Sequence, residues 1–165
     1  MSQALKEAIK SLVIQDIYLR NSNTIVTDSF EPKYHEKQDS FGLQFKHLVE
    51  KAEVLELESD QGVQQNLLRV FLDVGFRLVD SEAPSEEGSE EEFYVQVEAQ
   101  YVAEYTMKSE LSKRAIDEFA LENVSYHVWP FWREYISSQC TRINLPKIIL
   151  PTKQLASNRQ MTSCD

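Results

Sequence analysis

Three histidines, two cysteines and four glycines are the residues of this 165-residue chain on which most enzyme chemistry would rest. Their spacing supports none of it. His35, His47 and His127 are scattered, and no C-x-x-C or H-E-x-x-H pattern brings metal ligands onto one face. Gly42, Gly62, Gly75 and Gly88 are too dispersed to cradle a phosphate, and no P-loop, G-x-S-x-G or G-x-G-x-x-G sequence occurs. Arg133 and Glu134 are neighbours, but adjacent helix residues point about 100° apart, so an ion pair fits them better than a catalytic couple. Cys140 falls on a predicted helix and Cys164 beside the last residue, which gives no disulfide framework. Both are expected as free thiols. The residues point away from an enzyme and call for no cofactor and no metal.

What the chain does concentrate is apolar surface. The segment YHVWPFWREYISSQCTRINLPKIILP, residues 126–151, sets three large aromatics around a proline and runs on into an apolar, strand-like stretch. Its helical part carries Val128, Trp129, Phe131, Trp132, Tyr135, Ile136, Cys140 and Ile143, more than a single stripe can hold. If Val128, Trp132, Tyr135 or Ile136, and Ile143 lie on a sheet, Trp129 and Phe131 project elsewhere and need another cover. That cover is either the N-terminal helix or a sister subunit, or the aromatics line an exposed groove for polypeptide.

Elements that could position this helix are legible upstream. Ala4, Leu5, Ala8 and Ile9 are spaced for a short amphipathic helix over residues 2–10 with Ser2 as N-cap. Leu12 to Leu19 is dense in β-branched and aromatic residues and predicts a first strand, followed by a long irregular connection from Asn21 to Asp39. A second, bulged strand fits Phe41 to Glu58. Alternation is strongest in the third, where Leu68, Val70, Leu72, Val74, Phe76 and Leu78 take one face and Arg69, Asp73 and Arg77 the other. A fourth strand runs from Phe93 to Tyr105 and forms a hairpin with the third, with Gln96, Glu98, Gln100 and Glu104 on its polar face. Ser109 or Ser112 caps a first C-terminal helix, and Asn123 or Ser125 a second that ends near Arg142, with Pro130 in its first turn and a half. An Asn144-Leu145-Pro146 turn stops it. This order predicts an α+β fold: a four-stranded antiparallel sheet with two C-terminal helices on one face and a short N-terminal helix.

Composition sets the remaining bounds. With 42% hydrophobic and 27% charged residues the chain matches one domain, residues 1–155, with a disordered tail over 156–165. A formal charge of -10 argues against a nucleic-acid partner, which would require a basic patch. Most of that charge sits in DSEAPSEEGSEEE, residues 80–92, expected as a solvated hairpin loop, with an acidic docking site as the sharper reading. No run approaches the roughly 18 apolar residues of a membrane span, and MSQALKEAIK lacks a signal peptide's apolar region, so a cytoplasmic protein is expected. Four strands cannot close their own edges, which favours a homo-oligomer.

The segment from Phe119 to Pro151 resembles the C-terminal half of the SecB family of export chaperones, in the residues Trp129, Pro130, Phe131, Arg133, Glu134, Arg142, Leu145, Pro146 and Leu150. EEFYVQVEAQYVAEYTMK is similar to that family's last strand, and IQDIYLRNSN resembles its opening strand. The resemblance implies an ATP-independent holdase, a dimer of dimers that binds unfolded polypeptides or preproteins in apolar grooves and hands them to SecA. Those grooves map onto Leu43 and Phe45 of the second strand, Trp129, Phe131, Trp132, Tyr135 and Ile136 of the final helix, and Leu145, Ile148 and Leu150 beyond it. Departures are visible: Arg69 and Arg77 place positive charge on the face that meets SecA in the family, and Ser29-Phe30-Glu31-Pro32 stands where a Phe-Glu-Ala-Pro stretch is usual. SecB-like proteins that chaperone an antitoxin of a toxin-antitoxin system are the nearest rival. A small-molecule carrier and an adaptor for a folded partner are the readings of other classes.

Overall fold

The computed structural model describes residues 1–35, 41–58, 62, 64–81 and 93–150. Helix α1 (Gln3–Ser11) leads into β1 (Leu12–Val26), β2 (Phe41–Glu58), β3 (Gln64–Asp80) and β4 (Phe93–Met107), and α2 (Lys113–Glu122) and α3 (Val124–Arg142) follow. The strands form one antiparallel sheet in the order β1-β4-β3-β2, so β1 and β2 are its edges. The fold is the expected α+β arrangement. The tail over 156–165 and all but the first two residues of the acidic stretch 80–92 lie outside the described residues.

One strand departs from expectation. β1 continues past Leu19 to Val26, pairing with β4 as far as Val26–Val95, where an irregular connection from Asn21 was expected. The register shifts between Ile14 and Asp16 and again between Leu19 and Asn21. Each extra residue resets which side chains face the core, so the period-two signal never runs long enough to show.

Burial follows the alternation of β3 and β4. Leu68, Val70, Leu72, Val74, Phe76 and Leu78 face the helices, and Tyr105, Ala103, Tyr101, Ala99, Val97 and Val95 stand opposite them; all are buried. Over this layer α3 lays Val124, Val128, Trp132, Ile136 and Cys140, a strict i, i+4 row of buried side chains. Ala115, Phe119 and Ala120 of α2 and Leu5 and Ala8 of α1 extend the same core. The opposite face is largely polar along β3 and β4, as expected, but it holds a buried apolar island. Phe71 and Val102 oppose each other there and are 2% and 0% exposed. Lys51 stands 4.2 Å from the Phe71 ring centroid, and the Arg20 and Arg69 guanidiniums each 5.2 Å, so three cations roof one ring.

The helix ends show how the layer is fixed. The Ser2 hydroxyl accepts from Leu5 N at 3.0 Å and donates to the Glu118 carboxylate, so the cap of α1 also fastens α2. Those bonds, Ser2 first and then Arg114, hold the Glu118 carboxyl below the usual range. Ser112 caps α2 through Ala115 N. Asn123 opens α3 without a side-chain bond. Starting α3 at Val124 makes Pro130 its seventh residue, further in than expected, so Tyr126 loses the bond its carbonyl would accept. Tyr126 and Pro130 both face solvent, where water can take that role. At the far end Asn144 adopts φ 55°, Leu145 N bonds Cys140 O at 2.9 Å and Asn144 N bonds Thr141 O at 3.4 Å. This is a Schellman end with Asn in the left-handed position and Pro146 beyond it.

Two histidines tie the start of α3 to its surroundings. His47 of β2 lies 2.7 Å from the Ser125 hydroxyl, and His127 Nδ1 lies 2.7 Å from Tyr105 Oη. Burial lowers the pKa of half-buried His127, which favours the neutral ring, and raises that of Tyr105, so the two share a hydrogen bond between neutral groups.

Trp132→Ala is expected to cost about 3–5 kcal/mol, read as a lower urea midpoint at an unchanged slope. For His127 the sign follows from its lowered pKa. Above about pH 6.5 the ring is neutral folded and unfolded, and below it the unfolded chain takes up the proton first, so stability falls with pH until the folded ring titrates too. His127→Gln keeps an acceptor for Tyr105 and is expected to shrink the difference between midpoints at about pH 7.5 and about pH 5.5. An unchanged difference would place the effect elsewhere.

Candidate polypeptide-binding surface

The ten residues nominated by sequence divide by burial. Trp132, Ile136, Leu145 and Leu150 are 1%, 0%, 7% and 4% exposed and belong to the core of the protomer. They support the surface from beneath and offer little of it to a partner. Trp129, Tyr135 and Ile148 are partly buried and pack against that core. Leu43, Phe45 and Phe131 are exposed, at 43%, 45% and 46%.

Geometry joins several of these along β2. Leu43 opposes Leu78 and Phe45 opposes Phe76, so both face the helix side of the sheet, yet among the described residues they stay exposed while their partners are buried. His47, two residues on, shares that side, and its ring centroid is 6.4 Å from that of Trp129 in an edge-to-face arrangement. A line of Leu43, Phe45, His47 and Trp129 therefore runs from the free end of β2 to the start of α3. Past the shift between Val49 and Lys51, Val54 returns to the same side and is 41% exposed. Phe131 leaves α3 by another flank, where its carbonyl accepts from Tyr101 Oη at 3.3 Å.

Sequence reasoning missed other exposed apolar residues. Ile14 and Leu19 sit on the helix side of β1, opposite Tyr105 and Tyr101, and are 47% and 40% exposed. Leu48 of β2 is exposed on the opposite face, opposite Asp73. A pattern rule assigns such residues to the core, and only the strand order shows that they lie at edges. A second unpredicted feature is the aromatic cluster of Phe30, His35, Phe41 and Tyr94, with Phe30 centroids 4.9 to 5.7 Å from the others. It pins the segment after β1 against the start of β2.

Polar groups show structure more than chemistry. Ser125, the hydroxyl partner of His47, is 1% exposed, so the pair has no room for a substrate. Cys140 is buried and its thiol is pushed up by that burial, which suits a packing residue. Among the described residues no cluster of three or more metal-ligating side chains occurs, and no helix is long and apolar enough to cross a membrane. On the outer face Arg69 Nη2 donates to Tyr18 Oη, which donates to Glu104, and the guanidinium also meets Glu53 at 3.3 Å; the Tyr18 bond chiefly raises the Arg69 pKa. Lys46 reaches Glu98 at 3.2 Å. Two shallow depressions of about 350 and 160 Å³ lie on this face among Lys46, Arg77, Gln96, Glu98 and Gln100, beside Gly75, whose Cβ would stand 3.1 Å from the Val97 carbonyl. Both are open, and the larger, which Phe45 and Phe76 also line, mixes polar and apolar groups.

No protein-family model matches the chain, and no curated protein does. A solved structure matches in fold: the Mycobacterium tuberculosis SecB-like chaperone Rv1957 in complex with a ChAD peptide from the Rv1956 HigA1 antitoxin. The TM-score is 0.60 at 13% identity, over 93% of this chain and 98% of the other. Across nearly its whole length, then, the chain is similar in fold to a SecB-like chaperone.

Proposed function

We propose that the protein is an ATP-independent holdase that keeps other polypeptides unfolded by covering their apolar segments. The observation that carries this reading is the uncovered apolar line Leu43–Phe45 on β2 beside Trp129, together with exposed Phe131 on α3. Such surface is costly for a lone protomer and useful to a protein that trades it for client surface. Each contact is worth roughly 25 cal/mol per Å² before ordering costs are deducted. Contacts repeated along one client chain, and across several protomers, add through effective concentration. A net charge of -10 keeps loaded complexes apart. The exposed apolar residues of the β1 edge, Val13, Ile14, Leu19 and Ile25, suit a second copy, and a dimer of dimers is the assembly we assign.

An antitoxin is the better client class than an export substrate. The structural neighbour is in complex with an antitoxin peptide, and the outer face here pairs its bases with acids at Arg69, Lys46 and Lys51 instead of presenting an acidic surface to SecA.

Light scattering by a reduced, aggregating client, without nucleotide, tests the reading. The wild-type protein is expected to suppress scattering near stoichiometric amounts and to co-elute with the unfolded client but not with the folded one. Leu43→Ser/Phe45→Ser and Phe131→Ser, checked for folding by circular dichroism, are each expected to weaken capture about tenfold. A wild-type protein that neither suppresses scattering nor co-elutes would sink the proposal.

A further inference from the structure

We infer that His47 is a positioning residue of the polypeptide-binding surface: its hydrogen bond to Ser125 sets where the Trp129 ring stands beside the exposed side chains of β2. The inference rests on the holdase reading and states how one part of that surface is held.

The start of α3 is fastened differently from those of the other two helices. Ser2 caps α1 and Ser112 caps α2 through side-chain bonds, whereas Asn123 gives α3 no side-chain cap bond. Two residues of its opening turn reach the sheet instead. His127 shares a 2.7 Å hydrogen bond with Tyr105 of β4, a central strand, and Ser125 shares one of 2.7 Å with His47 of β2, an edge strand. The first sets the helix over the middle of the sheet, and the second ties it to the side where Leu43 and Phe45 are exposed. Which atom of the Ser125–His47 pair donates depends on the tautomer, and the tie is the same either way. Ser125 is 1% exposed, and leaving a buried hydroxyl without its partner costs more than the bond itself contributes, which keeps the His47 ring in one place.

Spacing carries the effect to Trp129. Ser125 and Trp129 are four residues apart and lie one above the other on a single flank of α3. His47 meets that flank at both levels, through the Ser125 hydroxyl and through the edge-to-face contact with the indole, whose ring centroid is 6.4 Å away. On β2, Phe45 and His47 are two residues apart on the same side of the sheet, a spacing of roughly 7 Å. The imidazole thus joins the strand's exposed apolar residues to the indole of the helix. A ring already held in its binding orientation loses little freedom when a client arrives, so more of the contact energy appears as affinity.

The test titrates a fluorescein-labelled, reduced and alkylated globular protein with the intact wild-type protein and its variants, each confirmed folded by circular dichroism. His47→Phe keeps a ring beside Trp129 but cannot bond Ser125, and it is expected to weaken binding about tenfold. It is also expected to open Trp129 to quenching by acrylamide, to which Trp132, 1% exposed, contributes little. Ser125→Ala removes the same bond from the other side and is expected to match it, so the test stands on either variant. His47→Gln offers an amide where Nε2 stood and is expected to recover most of both losses. A residue that acts through Trp129 has nothing left to position once that ring is gone, so in a Trp129→Ala background His47→Phe is expected to change binding by less than about twofold. A loss of about tenfold in that background too, or a glutamine no better than phenylalanine, overturns the inference and leaves the holdase reading standing. A wild-type protein that binds no unfolded client overturns both.

Discussion

A sheet four strands wide, at about 4.8 Å per step, is broader than the helix about 10 Å across that lies on it, and the rest of the molecule follows from that mismatch. The i, i+4 row from Val124 to Cys140 lands on the two central strands, and their helix-side residues are closed. The same layer touches both edges, at His47 of β2 and Thr24 of β1, but leaves part of each uncovered. Leu43 and Phe45 on one side and Ile14 and Leu19 on the other share a face with the core without belonging to it. Two strips of exposed apolar surface are thereby placed at the sheet edges, beside the exposed Phe131 on α3 and Leu48 on the outer face.

The other face needs no roof because it is arranged to meet water. Phe71 and Val102 are apolar residues it hides, with the charged ends of Arg20, Lys51 and Arg69 lying over the Phe71 ring. Exposed ion pairs such as Lys51–Glu53 contribute little singly. Their effect here is that positive and negative groups meet within the face, leaving it neither strongly charged nor sticky.

Much of this was legible in the sequence. The alternation of β3 and β4, the cap at Ser2 and the stop after Arg142 arise from local periods and turn residues, and those survive in a one-dimensional record. What failed to show depended on partners far along the chain. β1 was read as ending at Leu19 because its two bulges break the period, and Asn21, Ser22 and Asn23 read as loop until Gln100, Ala99 and Glu98 are seen beside them. Val102 lies on the face that alternation calls polar, and its burial makes sense only with Phe71 opposite. The candidate site divided in the same way. A large apolar residue at helical spacing is Trp132 in the core or Phe131 in solvent according to which turn of α3 meets the sheet, whereas Leu43 and Phe45 are surface residues only because β2 ends the strand order.

The pairing of β1 has a consequence for synthesis. β1 leaves the ribosome first among the strands, but its partner is β4, through contacts from Leu12–Met107 to Val26–Val95. Until Met107 has emerged, the growing chain holds β1 with nothing to pair with, while β2 and β3 can already zip together. Closing so long a loop is slow compared with forming the β3–β4 hairpin. Each nascent copy therefore passes through an interval in which β1 is an exposed, unpaired strand, the state most open to pairing with another chain.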